Sequence, residues 1–337
     1  MTSNACIKLA SKATGEPTLE NFTYTTVERP TLGEGEALIR IDWISVDPYM
    51  ITRIKARENY HAAVEIGDVM QALAVGEVIE SNREDRKVGD AVMGEFGMQS
   101  FAVDGPKTVS RVLDAALGSP RLSLTLLGLI GLTAYSGLLE IGRPVAGETV
   151  LISAGAGAVA TVAAAIAKVK DCKTVAVVGS EAKVKHCVEH LPYDAAVSRN
   201  APDFPQKLAT ACPNGVDVFF DNTGGPIYDE ALKVMNIGGR IIGCGRIAAA
   251  KHADPAQDIG PRDTDAFIVK RLMKKGLLVG DYEALFPKAL SDLAKWHAEG
   301  KIPLHEDILE GIENAPEALM RLVQGRNLGK QLVRVVH

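Results

Sequence analysis

The residues best placed for chemistry lie in Gly155-Ala156-Gly157-Ala158-Val159-Ala160, which follows the spacing G-x-G-x-x-A. That spacing suits anion binding. The first glycine allows a tight turn, and the second lets the backbone approach a pyrophosphate. The small last residue lets a helix pack on a strand, while the N–H groups of the helix start face the anion. A site for NAD usually ends its second strand in a carboxylate, about 20 residues further on, which grips the ribose hydroxyls. Here Thr174-Val175-Ala176-Val177-Val178 runs into Gly179-Ser180, with Lys183 one helical turn on and Arg199 past the next strand. A hydroxyl and cations beside the ribose suit a 2′-phosphate, so NADP(H) is expected over NAD. Glu181 leaves an alternative open, since it could grip a ribose if the loop bends.

Other reactive residue types form no comparable pattern. His186 and His190 stand four apart, as metal ligands on one helix face would. Cys187, Val188 and Glu189 lie between them, so the order H-E-x-x-H is not met, and exposed-face histidines are expected. The five cysteines, at 6, 172, 187, 212 and 244, form no C-x-x-C pair and read as reduced, mostly buried thiols of a cytoplasmic protein. No serine stands in a G-x-S-x-G elbow. No metal site is expected.

The elements that must position the glycine turn are legible around it. Thr149 to Ala167 is nineteen residues without a charge. It divides into a short strand, the turn, and an alanine-rich helix ending near Lys170. That strand is Val150–Ile152, and further strands are expected at Thr174–Val178, Ala195–Val197, Val216–Phe220, Arg240–Gly243 and Leu277–Val279. Helical patterns at Ala158–Lys170, Ala182–His190 and Pro226–Met235 fall between them. This alternation predicts an α/β fold with a doubly wound parallel sheet. The first 120 residues instead carry short alternating stretches such as Ala37–Ile44, Leu73–Ile79 and Ala91–Met93 between turns, which suits a smaller antiparallel β domain. The last forty residues add a helix, Pro316–Gln324, and a strand, Lys330–Val336, expected to return to the β domain. The polar stretch Ala248–Asp265 reads as a surface loop or a substrate lid.

Composition narrows the class further. A chain of 337 residues suggests two domains. Its net charge of −5 without basic clusters argues against a nucleic-acid partner. The uncharged runs at 149–167 and 122–139 contain glycines, lack basic flanks, and are expected in soluble cores, not in a membrane.

Four further strings carry a family resemblance. They are Gly131-Leu132-Thr133-Ala134-Tyr135 ahead of Gly147-Glu148-Thr149-Val150-Leu151, Phe220-Asp221-Asn222-Thr223-Gly224-Gly225, Asn327-Leu328-Gly329-Lys330, and Ser45-Val46-Asp47-Pro48-Tyr49-Met50. Together they resemble the zinc-independent medium-chain dehydrogenase/reductases over nearly the whole chain. Within these the chain is most similar to the leukotriene B4 12-hydroxydehydrogenase/prostaglandin reductase branch, which includes curcumin-reductase-like and alkenal double-bond reductases. The resemblance implies a GroES-like substrate and catalytic domain from residues 1–124 and 300–337. It also implies a Rossmann NADP-binding domain from residues 125–299.

Residue by residue, the resemblance assigns Gly155, Gly157, Ala158 and Val159 to the pyrophosphate, and Gly179, Ser180 and Lys183 to the adenosine phosphate. Asn222, Cys244, Gly245 and Leu278 would line the ribose and nicotinamide. Thr133 and Asn327 would also contact the cofactor, and Tyr49 would stand near the substrate at a domain cleft. The chain departs from its relatives in two places. Arg199 replaces a tyrosine near the adenine phosphate, and Ala248-Ala249-Ala250 replaces a tyrosine shortly after the fifth strand.

The implied reaction is NADPH-dependent reduction of the C=C bond of α,β-unsaturated ketones or aldehydes, with hydride delivered to the β-carbon. Tyr49 or the nicotinamide ribose hydroxyl would donate to the developing enolate oxygen. A quinone reductase of the same superfamily and an NADPH-sensing binding protein with little turnover are the alternatives. The resemblance further implies a cytoplasmic homodimer joined through its nucleotide domains, with the apolar Leu277–Val279 near the edge.

Overall fold

The computed structural model describes residues 3–55, 63–248 and 257–337. They form two compact units, Met1–Thr125 with Glu306–His337, and Leu126–His305.

The first unit opens with β1 (Ser3–Leu9), antiparallel to β2 (Phe22–Glu28). β3 (Ala37–Ser45) then runs through the middle of the larger sheet and is buried along most of its length. Directly after it, Pro48 starts the short helix α1 (Tyr49–Arg53). Proline suits that position because its φ is already helical and its missing N–H would have no partner there. β4 (Ala74–Ser81), β5 (Ala91–Gly94), β6 (Phe101–Asp104) and β7 (Ser110–Val112) follow as antiparallel neighbours.

The second unit begins with α2 (Leu129–Ser136), which packs against α3 (Ala158–Val169). Its strands are β8 (Thr149–Ser153), β9 (Lys173–Val178), β10 (Ala195–Ser198), β11 (Val216–Asp221), β12 (Met235–Gly243) and β13 (Met273–Gly276). They form one parallel sheet in the order β10-β9-β8-β11-β12-β13. α4 (Glu181–His190), α5 (Phe204–Ala211) and α6 (Gly225–Val234) connect successive strands, and α7 (Thr264–Lys270) precedes β13. α8 (Phe286–Ala298) closes the unit. All five residues of β8 are buried, because a parallel strand covered on both faces has no solvent side to make polar. Ala160, Ala163, Ala164 and Ala167 on the buried side of α3 allow the helix to come close to that sheet.

The sixth strand lies elsewhere than the apolar run suggests. Leu277–Val279 lies beyond it, and the strand is Met273–Gly276, exposed at every position. An edge strand has one unpaired side, and charged residues there, Lys274 and Lys275, discourage stray pairing. The apolar run Leu277–Val279 was therefore a poor guide, since Leu277 turns inward against α2's end at Gly137.

The tail supplies β14 (Glu306–Glu310), α9 (Ala315–Val323) and β15 (Lys330–Arg334). β15 lies parallel to β14, with α9 as the crossover, and antiparallel to β3, with Leu332 opposite Ser45. The first unit's larger sheet therefore runs β14-β15-β3-β4-β5-β7, with β6 also on β3. A mainly antiparallel sheet and a doubly wound parallel sheet are the expected fold class.

Candidate cofactor and substrate site

The glycine turn is held by its backbone. Ala154 adopts a left-handed φ of 52°. The Gly155 N–H donates to Val177 O at 3.0 Å and the Gly157 N–H to Ala154 O at 2.7 Å. A Cβ on Gly155 would lie 2.5 Å from the Ala176 Cβ, so the contact between turn and β9 excludes any side chain there. Gly157 is the N-cap of α3 and supplies no side-chain acceptor, so the first-turn N–H groups around Ala158 and Val159 face outward for an anion. Tyr193 was not singled out from sequence. Its buried hydroxyl donates to Gly155 O at 2.8 Å and lies 3.1 Å from Ala160 O, tying the turn to the helix it feeds. No spacing rule marks a tyrosine between α4 and β10, so only the fold reveals it.

At the end of β9 the structure brings Gly179, Ser180, Lys183 and Arg199 together. The Arg199 N–H donates to Val178 O at 2.9 Å, and Asn200 Nδ2 donates to Gly179 O at 2.7 Å. One Arg199 guanidinium nitrogen is 3.9 Å from where a Gly179 Cβ would be. The Ser180 hydroxyl caps α4 by accepting from the Lys183 N–H at 3.3 Å. Glu181 occupies the first turn of α4, exposed, where a carboxylate favours the helix dipole. Further along α4, His190 is exposed and His186 half-buried, with ring centroids 5.2 Å apart. The ring of His305 stands edge-on to His186 at 6.5 Å.

The carboxyl ends of β11 and β12 form the next part of the edge. Asn222 donates through Nδ2 to Ser153 O at 2.8 Å, and its own N–H donates to Ser153 Oγ at 2.8 Å. The organiser is Asp221, a member of the D-N-T-G-G string whose role no local spacing announces. One oxygen, Oδ1, accepts from Ser153 Oγ (3.0 Å), Thr223 N (3.0 Å), Thr223 Oγ1 (3.2 Å) and Gly224 N (2.9 Å). Its main-chain carbonyl accepts from Cys244 N at 2.9 Å and Gly245 N at 3.1 Å. A Cβ on Gly245 would approach Asn222 O to 2.7 Å, so Asn222, Cys244 and Gly245 share one tight edge. Burial, with Asp221 adding repulsion, pushes the Cys244 thiol up to about 12, which makes it a wall and not a nucleophile. Leu278 stands beyond β13 and not within it. The neighbouring Leu277 N–H donates to Gly243 O at 2.9 Å, which places exposed Leu278 at the same carboxyl edge. Thr133 is half-buried on α2, the helix packed against α3.

Tyr49 and Asn327 belong to the first unit. Tyr49 opens α1, half-buried, with the Arg53 guanidinium carbon 5.0 Å from its ring centroid. Two residues outside the predicted site fix this turn. Lys330 Nζ donates to Asp47 Oδ1 at 2.5 Å and to Val46 O at 2.9 Å, and both charged groups are buried. The Ser45 hydroxyl donates to the other Asp47 oxygen. Asn327, also buried, donates to Gly329 O at 3.0 Å. The D-P-Y-M and N-L-G-K motifs are thus clasped to each other by a buried ion pair.

Ala249, Ala250 and the stretch 249–256 of the suspected lid lie outside the described residues. Ala248 donates its N–H to Thr223 O at 3.1 Å, and the final residues, Thr264 and Asp265, begin α7. No helix among the described residues is long and apolar enough to cross a membrane.

A family profile described as the N-terminal domain of oxidoreductase matches residues 5–112, and one described as zinc-binding dehydrogenase matches 158–295. The NADPH-dependent curcumin reductase of Escherichia coli is 36% identical over 97% of this chain and 95% of its own length. The chain belongs to the medium-chain dehydrogenase/reductases, in the branch of the curcumin and prostaglandin reductases. Prostaglandin reductase 1 of Bos taurus is 38% identical over 95% of both chains. Among solved structures of this family, CurA from Vibrio vulnificus in complex with NADPH superposes with a TM-score of 0.93, at 34% identity and 99% coverage of both chains. Four of this chain's cysteines are buried and one half-buried, and no group of three or more His, Cys, Asp or Glu among the described residues could hold an ion.

Proposed function

We propose that this protein is a cytoplasmic NADPH-dependent reductase of the C=C bond in α,β-unsaturated ketones and aldehydes, working as a homodimer and without zinc. The observation that carries this reading is the full-length similarity to an NADPH-dependent curcumin reductase. The end of β9 supports the cofactor choice. It offers Gly179, Ser180, Lys183 and Arg199, with no carboxylate ending the strand itself. In this reading the N–H groups from Gly157 to Val159 receive the pyrophosphate, with Gly155 making the turn. Gly179, Ser180, Lys183 and Arg199 receive the 2′-phosphate. Asn222, Cys244, Gly245, Leu278, Thr133 and Asn327 line the rest of the cofactor.

Bound NADPH supplies a hydride for the substrate's β-carbon. The substrate's carbonyl oxygen then gains negative charge and needs a donor in place beforehand. Tyr49 is this chain's candidate. Burial raises its pKa, with Asp47 and Glu95 adding to the rise, while Arg53 and a Leu73 backbone hydrogen bond oppose it. The phenol therefore stays protonated through neutral pH, so it donates a hydrogen bond and leaves protonation of the α-carbon to solvent.

The test is consumption of NADPH with enals, enones, curcuminoid-like dienones and quinones. Turnover on conjugated carbonyl compounds with a saturated carbonyl product is expected. Turnover on quinones alone would make the protein a quinone reductase. Tight NADPH binding with no turnover on any of them would make it a binding protein.

A further inference from the structure

Arg53 is a buried cation that the cofactor cradle does not use. It ends α1 and is 8% exposed. One guanidinium nitrogen donates to the Gln71 side chain, while Nε is buried and meets no acceptor. None of the ion pairs among the described residues includes it. A buried charge without a counterion is costly, and the face of an aromatic ring offsets only part of that cost. The ring in question is Tyr49, with the guanidinium carbon 5.0 Å from its centroid.

Among the described residues, three charged groups bear on the Tyr49 phenol. Asp47 and Glu95 resist negative charge there, and Arg53 favours it. Asp47 is already neutralised by Lys330 at 2.5 Å, and Glu95 is exposed to solvent. Among the described residues, Arg53 is thus the cation that acts on the phenol and would answer an anion arriving there. We infer that Arg53 is a positioning residue acting through Tyr49, with its guanidinium held beside the ring by Gln71 to stabilise negative charge gathering on the substrate oxygen that Tyr49 contacts. No proton leaves Tyr49 in this step. The phenol O–H gives a stronger hydrogen bond as the enolate forms, because the cation beside the ring makes that O–H a better donor. The inference rests on the proposed enone reduction and adds a second residue to the site.

A cation that strengthens one hydrogen bond made in the transition state contributes part of what that donor supplies, on the order of tenfold in rate. The experiment is a double-mutant cycle of Arg53→Met and Tyr49→Phe with NADPH and the best enone, with Arg53→Lys alongside. Arg53→Met should lower kcat about tenfold with KM unchanged. In the Tyr49→Phe background the same change should have little further effect, because the group it acts through is gone. Arg53→Lys should recover part of the loss by restoring charge without the planar contact. Equal losses in both backgrounds would mean a merely structural Arg53 and overturn the inference. So would an effect confined to KM, which would make Arg53 a substrate anchor. If wild type reduces enones and Arg53→Met is silent, the inference alone fails. If wild type reduces no enone, the proposed function fails and takes this inference with it.

Discussion

Asp221→Asn tests whether one buried carboxylate organises the cofactor edge. The substitution keeps shape and one acceptor oxygen but removes the charge. Asp221 is 3% exposed, and its Oδ1 accepts four hydrogen bonds, two of them from the backbone N–H groups of Thr223 and Gly224. Hydrogen bonds to a charged acceptor contribute about 1.5–3 kcal/mol against about 1 for a neutral one. Loss of charge assistance at the two backbone donors and the two hydroxyls, partly offset by burying a neutral group, should cost about 2–3 kcal/mol. For a unit of this size that is a fall of roughly 4–12 °C in the melting transition. The assay is calorimetry together with NADPH titration by fluorescence. Asn222, Cys244 and Gly245 hang from the same residue, so NADPH affinity should fall about tenfold as the loop relaxes. An Asn variant that melts at the wild-type temperature and binds NADPH with wild-type affinity would refute the reasoning.

Lys183→Ala and Arg199→Ala should each weaken NADPH binding about tenfold and leave NADH binding nearly unchanged, because only NADPH carries the 2′-phosphate. Unchanged NADPH affinity in both variants would remove the 2′-phosphate assignment. Dialysis against a strong chelator should leave turnover intact, as measured by NADPH consumption, and a loss restored by added zinc would reveal a metal role. Light scattering at micromolar concentration should give twice the chain mass of 35.9 kDa. Ile268 and Val269 of α7 and Met273 at the start of the edge strand, each more than half exposed, are the surface on which pairing is expected. A mass of one chain would refute the dimer.

The parallel sheet was legible because its buried strands cannot hide their character. β8 to β11 are nearly continuous apolar runs, and each expected strand there lies within one or two residues of the observed one. β13 was not legible, since an edge strand is under no pressure to be apolar and reads Met273-Lys274-Lys275-Gly276. α5 and α8 are not legible either. Each opens on Phe-Pro, and proline in a first turn resembles a loop signal until the following residues are seen to keep helical spacing. The glycine turn and the end of β9 were identifiable because backbone constraints act between near neighbours in sequence, within a single strand-turn-helix.

What escaped the sequence is long-range by nature. Lys330 meets Asp47 across 283 positions, and Ser153 meets Asp221 across 68, so no local spacing announces either contact. Both are polar groups that were expected only as parts of motifs, and both turn out to carry charge into buried positions. Burying a carboxylate or an ammonium is unfavourable unless its partners are already fixed. Each pair therefore marks a place where the fold holds two segments in one arrangement. One holds Asn222 to the glycine-turn strand, and the other holds the Tyr49 turn to the N-L-G-K segment. Arg53 differs from both. It is buried beside Tyr49 without a carboxylate among the described residues. A charge with its counterion in the resting protein fixes structure, whereas one with no counterion among the described residues is available to an anion that exists only while substrate reacts. That distinction separates the groups expected to change stability, Asp221 and Lys330, from the one expected to change kcat.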